Sequence, residues 1–183
     1  MAKTSTTHGK YKGVIVSKTD FRKLNAKLKQ SRKNITDFIV SRFQQIGEEA
    51  VKIARENGSY HDITGNLRSS IGYVILVDGK VVTGGDFEAK AVAPGKKKVQ
   101  RTKNGKTYET TITVGGSGED GVKQGKALLE KLKSKFPWGI VLILCAGMEY
   151  AAFVENVRGK DVLTSAEHLA ESLMKQLLKG IIK

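Results

Sequence analysis

One glycine-rich segment has the composition of a phosphate-binding loop. It runs from Gly121 to Ala127 with the sequence GVKQGKA. In a phosphate-binding loop the first glycine stands one residue further from the Gly-Lys pair, and a Ser or Thr that holds magnesium follows the lysine. Here the first glycine is one residue too close and Ala127 takes the place of the Ser or Thr. We therefore interpret the segment as a helix start made flexible by glycine, and expect no nucleotide site.

The histidines and the cysteine have the residue types of a metal or nucleophile site but not its spacing. The histidines are widely separated, at His8, His61 and His168. Metal ligands must converge, and these residues have no ligand-type spacing to one another or to Cys145. Cys145 ends the apolar run Leu142–Cys145, where a small core residue is expected instead of an exposed nucleophile. We expect no metal and no cofactor.

A carboxylate pair would be a third kind of reactive site. Glu149 and Glu155 are six residues apart, and this spacing does not place two side chains on one face of a helix. We interpret them as a polar rim around the apolar residues between them. Without a nucleophile–base pair or a metal cluster, the sequence predicts a protein that is not an enzyme.

Positive charge is the most unusual property of the composition. The chain of 183 residues has a net charge of +14, which favours a polyanionic partner. Residues 1–33 contain ten basic residues against Asp20 alone, whereas residues 149–183 contain five of each sign. The basic segments have few aromatic residues for base stacking, so they predict non-specific phosphate contact instead of sequence readout.

The sequence also indicates where the protein works. A single cysteine excludes an internal disulfide, which fits a reducing, intracellular site of assembly. The first residues lack the apolar segment of a secretory signal. The longest apolar run, Pro137–Met148, is shorter than the ~20 residues that span a bilayer. We expect no membrane partner.

The N-terminal part is predicted to be a flexible basic arm, residues 1–17, with Val14–Val16 as a short docked segment. A helix is then predicted from Asp20 to Asn57, because apolar residues recur at steps of three and four. They form one stripe: Phe21, Leu24, Leu28, Ile35, Phe38, Ile39, Phe43, Ile46, Ala50, Ile53 and Ala54. The polar run at residues 30–34 interrupts the stripe and predicts a break or bend.

Two hairpins are predicted in the middle of the chain. Asp78–Gly79 separates two β-rich runs, residues 73–77 and 80–83, as in a tight hairpin. Within a basic insert, residues 86–120, strands at 99–103 and 108–114 flank a second turn signal, Asn104–Gly105. We expect this second hairpin to project, to be dispensable for folding and to contact DNA or a protein partner. Its candidate contact residues are Lys96, Lys97, Lys98, Arg101, Lys103 and Lys106.

The last third of the sequence predicts a helix over 121–136, followed by a central strand over 138–146 that is buried on both faces. A final helix is predicted to close the chain. The final helix is expected to begin at Thr164–Glu167, which has capping-box spacing. The fold class predicted is α+β: a small, mostly antiparallel sheet packed by a long N-terminal helix and a C-terminal helix. Residues 18–183 are expected to form a single domain around the projecting hairpin.

Two short stretches have a structural character. Asp62–Ile71 predicts a helix start, in which Asp62 or Thr64 accepts hydrogen bonds from free backbone N–H groups. Leu67 and Ile71 are four apart and would share one helix face. Glu149–Asn156 is the second stretch, near the end of the chain.

With both stretches in this order, the chain resembles a family of small tail-component proteins of long-tailed bacteriophages, the neck or tail-completion proteins. The resemblance covers most of residues 20–180. The matching positions are Thr64, Gly65, Leu67, Arg68, Ile71, Glu149, Tyr150, Ala151, Val154 and Glu155. The family commonly continues with Gly-Thr and a proline-rich lead into the last helix, whereas this chain has NVRGKDVL at 156–163.

The resemblance implies a non-enzymatic virion protein, assembled in the host cytoplasm. Copies would form a ring at the head–tail junction that joins the head connector to the tail tube around the DNA channel. A different class stays open from the residues themselves: a free, non-sequence-specific nucleic-acid-binding protein whose basic segments are its purpose.

Overall fold

The computed structural model describes residues 5–7, 14–16, 20–56, 58–103 and 105–181. The chain divides into two compact units, residues 1–39 and residues 40–183. In chain order the elements are β1 (Ser5–Thr7), β2 (Val14–Val16), α1 (Phe21–Glu56), α2 (Asn66–Ser69), β3 (Ile71–Val77), β4 (Lys80–Gly85), β5 (Val92–Lys103), β6 (Lys106–Gly116), α3 (Glu119–Lys133), β7 (Ile140–Ala146), α4 (Ala151–Asn156) and α5 (Thr164–Ile181).

In the first unit, β1 and β2 pair antiparallel, with Ser5 opposite Val16. The docked segment predicted at 14–16 is therefore a strand paired with residues 5–7. The rest of the predicted arm, and its boundary at residue 17, lie outside the described residues.

Helix α1 begins and ends where the sequence predicts. Asp20 caps its start, because its carboxylate accepts hydrogen bonds from the backbone N–H groups of Arg22 (3.0 Å) and Lys23 (3.3 Å). Of the break or bend predicted at residues 30–34, the break is wrong, since α1 is one continuous helix, and the bend stays a prediction. That run is polar but contains no Gly or Pro, so it interrupts the apolar stripe without interrupting backbone hydrogen bonding.

In the second unit, a three-stranded antiparallel sheet has the order β4-β3-β7. Strand β3 is therefore central, and the prediction of a central strand over 138–146 is wrong. Trp138 is exposed and lies before β7, which is an outer strand of this sheet. The part of the prediction that gives this run two packed faces is correct for β7, because its alternate residues face two different cores and both faces need apolar side chains.

The β3–β4 hairpin has the turn that Asp78–Gly79 predicts. Both residues have positive φ, 49° and 76°, which is the pattern of a type I′ turn. The backbone N–H of Asp78 donates to Gly139 O (2.8 Å), and the Asp78 carboxylate accepts from Gly139 N (3.0 Å). The turn thereby also holds the start of β7.

The sheet of the second unit separates two hydrophobic cores. Ile71, Tyr73 and Ile75 of β3 belong to the larger core, which includes the C-terminal half of α1, α4 and α5. Val74 and Leu76 belong to the smaller core with Phe87 and α3. The alternation along β3 is the two-residue period of a strand buried on both faces.

The α+β class is confirmed, with a long N-terminal helix, antiparallel sheets and a C-terminal helix. Strands β5 and β6 form a separate two-stranded antiparallel sheet that is longer than predicted at both ends. Its description as a projecting, dispensable insert stays a prediction.

The buried position of Ile71 generates a stability prediction. Ile71 is 0% exposed in the larger core, so Ile71→Ala should lower the free energy of unfolding by about 2–4 kcal/mol, because it leaves a cavity. Urea unfolding measures the change. Val81→Ala, at an exposed apolar position on β4, is the control. A loss of less than about 0.5 kcal/mol for Ile71→Ala, the usual size of a surface effect, would contradict the packing described.

Candidate functional site

The two stretches that are far apart in the sequence meet in the second unit. The backbone N–H of Gly147 donates to Ser70 O (3.0 Å). Burial and the charge of Asp62 raise the pKa of the Tyr150 phenol, and Thr64 lies near enough to Tyr150 to lower it. Leu67 and Ala151 lie in the same core. The first and second stretches therefore form one structural site, and burial there raises the pKa of Tyr150.

The first stretch is a buried backbone junction instead of a full helix. Helix α2 has only four residues, and Ile71 already begins β3. The prediction that Leu67 and Ile71 share a helix face is therefore wrong, although both side chains are buried. Ser69, fully buried, donates from Oγ to Gly65 O (2.7 Å) and accepts from Lys90 N (2.8 Å). Its hydroxyl thus ties α2 to the segment before β5.

Glycines bring the neighbouring elements close to this junction. A Cβ on Gly65 would collide with Lys90 O, on Gly116 with Thr64 O, and on Gly121 with Asn66 O. The end of β6 and the first turn of α3 therefore pack directly on the backbone of the first stretch. Gly121 and Gly125 lie inside α3, which begins at Glu119. Their four-residue spacing, which suggested a phosphate loop, serves close helix packing.

A charged pair lies beside the junction. The Asp62 side chain is only 9% exposed, and its Oδ2 is 3.5 Å from Arg68 Nε. Burial raises the pKa of Asp62, while the charge of Arg68, a hydrogen bond from the Gly65 N–H and the charge of Lys97 partly offset it. Asp62 therefore links the first stretch to the β5–β6 hairpin electrostatically.

Of the two cap residues predicted for α2, Thr64 accepts a long hydrogen bond at Oγ1 from Asn66 N (3.4 Å). The cap position itself is taken by Gly65, which has a left-handed backbone conformation and no side chain to cap the helix.

The β5–β6 hairpin presents basic side chains on both faces. Its register pairs Lys97 with Ile112 and Lys98 with Thr111, so successive lysines point to opposite sides. The exposed members of the predicted contact set are Lys96, Lys97, Lys98, Arg101 and Lys106. Lys103 pairs with Lys106 at the end of the hairpin, but its side chain lies outside the described part. Lys98 also forms an ion pair with Glu109 (3.4 Å).

The face of this hairpin that carries Lys97 and Arg101 is partly covered. Val99 is 4% exposed, and Thr110, Ile112 and Val114 are half-buried. In the sequence, Tyr108, Thr110, Ile112 and Val114 alternate with polar or small residues, as a strand with one buried face requires, and the structure departs from this pattern only at Tyr108, which is exposed. The Gly115 N–H donates to Ile63 O (2.9 Å), which anchors the base of the hairpin to the first stretch.

The second stretch supplies the cap of the last helix. Glu155 Oε1 accepts from Leu163 N (3.0 Å), Thr164 N (2.8 Å) and Thr164 Oγ1 (2.6 Å). Asp161 Oδ1 accepts from Ser165 N (3.1 Å). The capping box predicted at Thr164–Glu167 is therefore wrong. The polar rim predicted from Glu149 and Glu155 is correct only at Glu149, which is exposed, because Glu155 is half-buried. Of the residues between them, Tyr150 is exposed and Val154 packs against the larger core.

Reactive chemistry is not assembled around the two stretches. The thiol of Cys145 is buried, which raises its pKa to about 11. Among the described residues, His, Cys, Asp and Glu do not come together in a group that could hold a metal. In the same part of the chain, the helices lack the length or the apolar content to cross a bilayer.

Glu155 generates a pH-dependent prediction. Burial raises the pKa of its carboxyl, but hydrogen bonds from Thr164 and from backbone N–H groups outweigh burial and hold the pKa below its ordinary value. An unfolded Glu has a pKa of about 4.3. The stabilisation is therefore present above about pH 5 and is lost as the pH falls through the lower, folded value.

Glu155→Ala should accordingly lower the free energy of unfolding by about 1 kcal/mol at neutral pH and by much less near pH 3. Glu167→Ala, an exposed carboxylate in the same helix turn, should change it by less than about 0.5 kcal/mol. Urea titrations across pH measure both. An equal effect of Glu155→Ala at both pH values would contradict a cap by the ionised carboxylate.

Gly65 generates a second prediction, with a matched control. Gly65 and Gly159 both have positive φ, 81° and 59°, but a Cβ on Gly159 would meet nothing within 4 Å. Gly159→Ala should therefore cost about 1–2 kcal/mol of backbone strain. Gly65→Ala should lower the free energy of unfolding by at least about 1 kcal/mol more than Gly159→Ala does, because the added Cβ also overpacks the junction. Equal losses in thermal or urea unfolding would show that the junction is not closely packed.

The sequence and fold of the chain were compared with known proteins in three ways. Neither the protein-family models, nor the curated proteins, nor the solved structures contain a match to the chain.

Proposed function

We propose that the chain is a non-enzymatic structural protein of the phage virion, a neck or tail-completion protein. Its copies form a ring at the head–tail junction that joins the head connector to the tail tube around the DNA channel. The resemblance of Thr64–Ile71 and Glu149–Glu155 to that family supports the proposal. The direct contact beside these two stretches, where the Gly147 N–H donates to Ser70 O, adds support, because paired motifs of one family are expected to form one site.

The observation that carries the proposal is the basic hairpin β5–β6 and its anchor. Exposed lysines and an arginine lie on a two-stranded sheet whose base is hydrogen-bonded to the first stretch at Ile63. A two-stranded hairpin alone is marginally stable in water. Anchoring fixes where its charges point, and fixed positive charge suits DNA phosphates in a channel or an acidic neighbouring ring.

Ring closure also needs surfaces that join copies head to tail. Strands β4 and β7 are the outer strands of the three-stranded sheet. Val81 and Val82 of β4 are adjacent exposed apolar residues on such an edge. An edge of this kind favours pairing with another chain unless it is covered, so it suits a protein that works as one member of a ring.

A quadruple substitution tests the proposal. Lys96→Gln, Lys98→Gln, Arg101→Gln and Lys106→Gln together remove exposed charge and should leave the unfolding midpoint unchanged. In a phage that carries this gene, the variant should give heads and tails that do not join. The matched control removes the same charge from α3 and the residues after it: Lys123→Gln, Lys126→Gln, Lys131→Gln and Lys135→Gln. Normal infectious particles from the hairpin variant would contradict the proposal.

Ring formation is tested on the purified protein. Light scattering after size-exclusion chromatography and negative-stain microscopy should show a closed oligomer of defined stoichiometry. A protein that stays monomeric at all concentrations, alone and with its head-connector partner, would overturn this part of the proposal.

A second candidate function rests on the distribution of charge over both faces of the hairpin: free, non-sequence-specific nucleic-acid binding. It predicts DNA affinity without ring assembly. The logarithm of the association constant should fall linearly with the logarithm of salt concentration. Each hairpin side chain that contacts a phosphate and is replaced by Gln should reduce the steepness of that line by about 0.9. The quadruple variant measures that slope directly, and a closed ring with no DNA affinity would exclude this alternative.

A further inference from the structure

The N-terminal half of α1 carries an apolar seam that is exposed. Every described residue from Asp20 to Ile35 is exposed. The apolar members stand at steps of three, four and seven: Phe21, Leu24, Leu28 and Ile35, with exposed Phe38 continuing the pattern. The sequence predicts one stripe along the whole helix, but only its C-terminal half enters the core of the second unit.

The spacing of this seam is that of a helix-pairing surface. With Phe21 at position a of a heptad, Leu28 and Ile35 also fall at a, and Leu24 and Phe38 fall at d. A strict a/d seam is the narrow surface by which one helix packs against another. Ser31 occupies the remaining d position, where a polar residue sets register at a cost in stability.

The basic residues of this part of α1 indicate which kind of partner helix the seam can bind. Residues 20–39 contain six basic residues and two acidic ones. Lys23 and Lys27, and Lys29 and Lys33, are four apart, so each pair of like charges destabilises the isolated helix. A partner helix with acidic flanks would offset the charge of Lys27, which borders the seam, whereas Lys29 and Lys33 fall at positions b and f, away from it. The seam is flanked by Lys27 at position g and Arg32 at position e.

A second copy of the same helix fits poorly. In a parallel pair in register, position g of one helix faces position e of the next heptad on the other. Lys27 of one copy would then face Arg32 of its neighbour, on both sides of the seam. An antiparallel pair brings together the same excess of positive charge. Charge complementarity therefore favours a different partner.

We propose that residues 21–38 of α1 bind an amphipathic helix of another protein, with apolar residues at a and d and acidic residues at e and g. Apolar contact along Phe21, Leu24, Leu28 and Ile35 supplies the affinity. Lys27 and Arg32 select the acidic flanks and disfavour self-pairing. The proposal concerns a surface other than the hairpin and stands independently of the head–tail assignment.

The test uses the full chain and two synthetic helical peptides of three heptads, both with Leu at a and d. One has Glu at e and g, and the other has Lys there. Fluorescence anisotropy should show binding of the Glu peptide and at least tenfold weaker binding of the Lys peptide. Leu28→Glu should weaken binding of the Glu peptide at least tenfold. Leu178→Glu is the control, because Leu178 is similarly exposed on α5 (53% against 59%) and should bind as the unmodified chain does.

Charge reversal distinguishes a charge-dependent preference between the two peptides from non-specific apolar binding. The double variant Lys27→Glu and Arg32→Glu should prefer the Lys peptide, with unchanged helix content by circular dichroism. Three results would overturn the proposal: equal affinity for both peptides, self-association of the peptide-free chain that Leu28→Glu abolishes, or binding to phosphatidylglycerol-containing vesicles that Leu28→Glu abolishes while neither peptide binds. The second identifies another copy as the occupant, and the third identifies a lipid surface.

Discussion

Close approach of backbone to backbone at the first stretch is the constraint on which the second unit depends. Residues 64–70 are covered by the end of β6, the first turns of α3 and the segment before β5, and each approach occurs at a glycine. A Cβ at Gly65, Gly116 or Gly121 would meet a carbonyl oxygen. Since interiors are packed at crystal-like density, these contacts fix where the hairpin begins and how α3 lies against the sheet.

Polar groups inside this junction are satisfied by partners far away in the sequence. Ser69 bonds both Gly65 and Lys90, and Ser70 O accepts from Gly147. Glu155 closes the other end of the site by capping α5. Buried hydroxyl and backbone groups are expensive when unpaired, so each of these bonds also specifies which segments lie side by side. The site is therefore a structural crossing point of the chain.

Charge and apolar surface are placed differently from one part of the molecule to another. In the second unit, two arginines are tied into the fold: Arg55 donates to Ile71 O (2.8 Å) and Arg68 pairs with Asp62. The hairpin lysines are exposed on both faces. In the first unit, basic side chains flank an exposed apolar seam on α1. Exposed charge alone suits phosphates, whereas charge beside an apolar seam suits an acidic helix, so the two surfaces are expected to bind different partners.

The sequence by itself determined those features whose cause is local. The Asp78–Gly79 turn, the bounds of α1 and the α+β class follow from turn chemistry, periodicity and element order, which need only neighbouring residues. Tertiary structure alone decided which apolar strand is central, because β3 and β7 are both continuously apolar and only pairing distinguishes them. It also decided that Glu155 caps a helix beginning nine residues later, and that Gly121 and Gly125 serve packing instead of phosphate. It decided, finally, where along α1 the apolar stripe is buried. Burial and hydrogen bonding between distant residues depend on which segments are brought together, and local spacing carries no information about that.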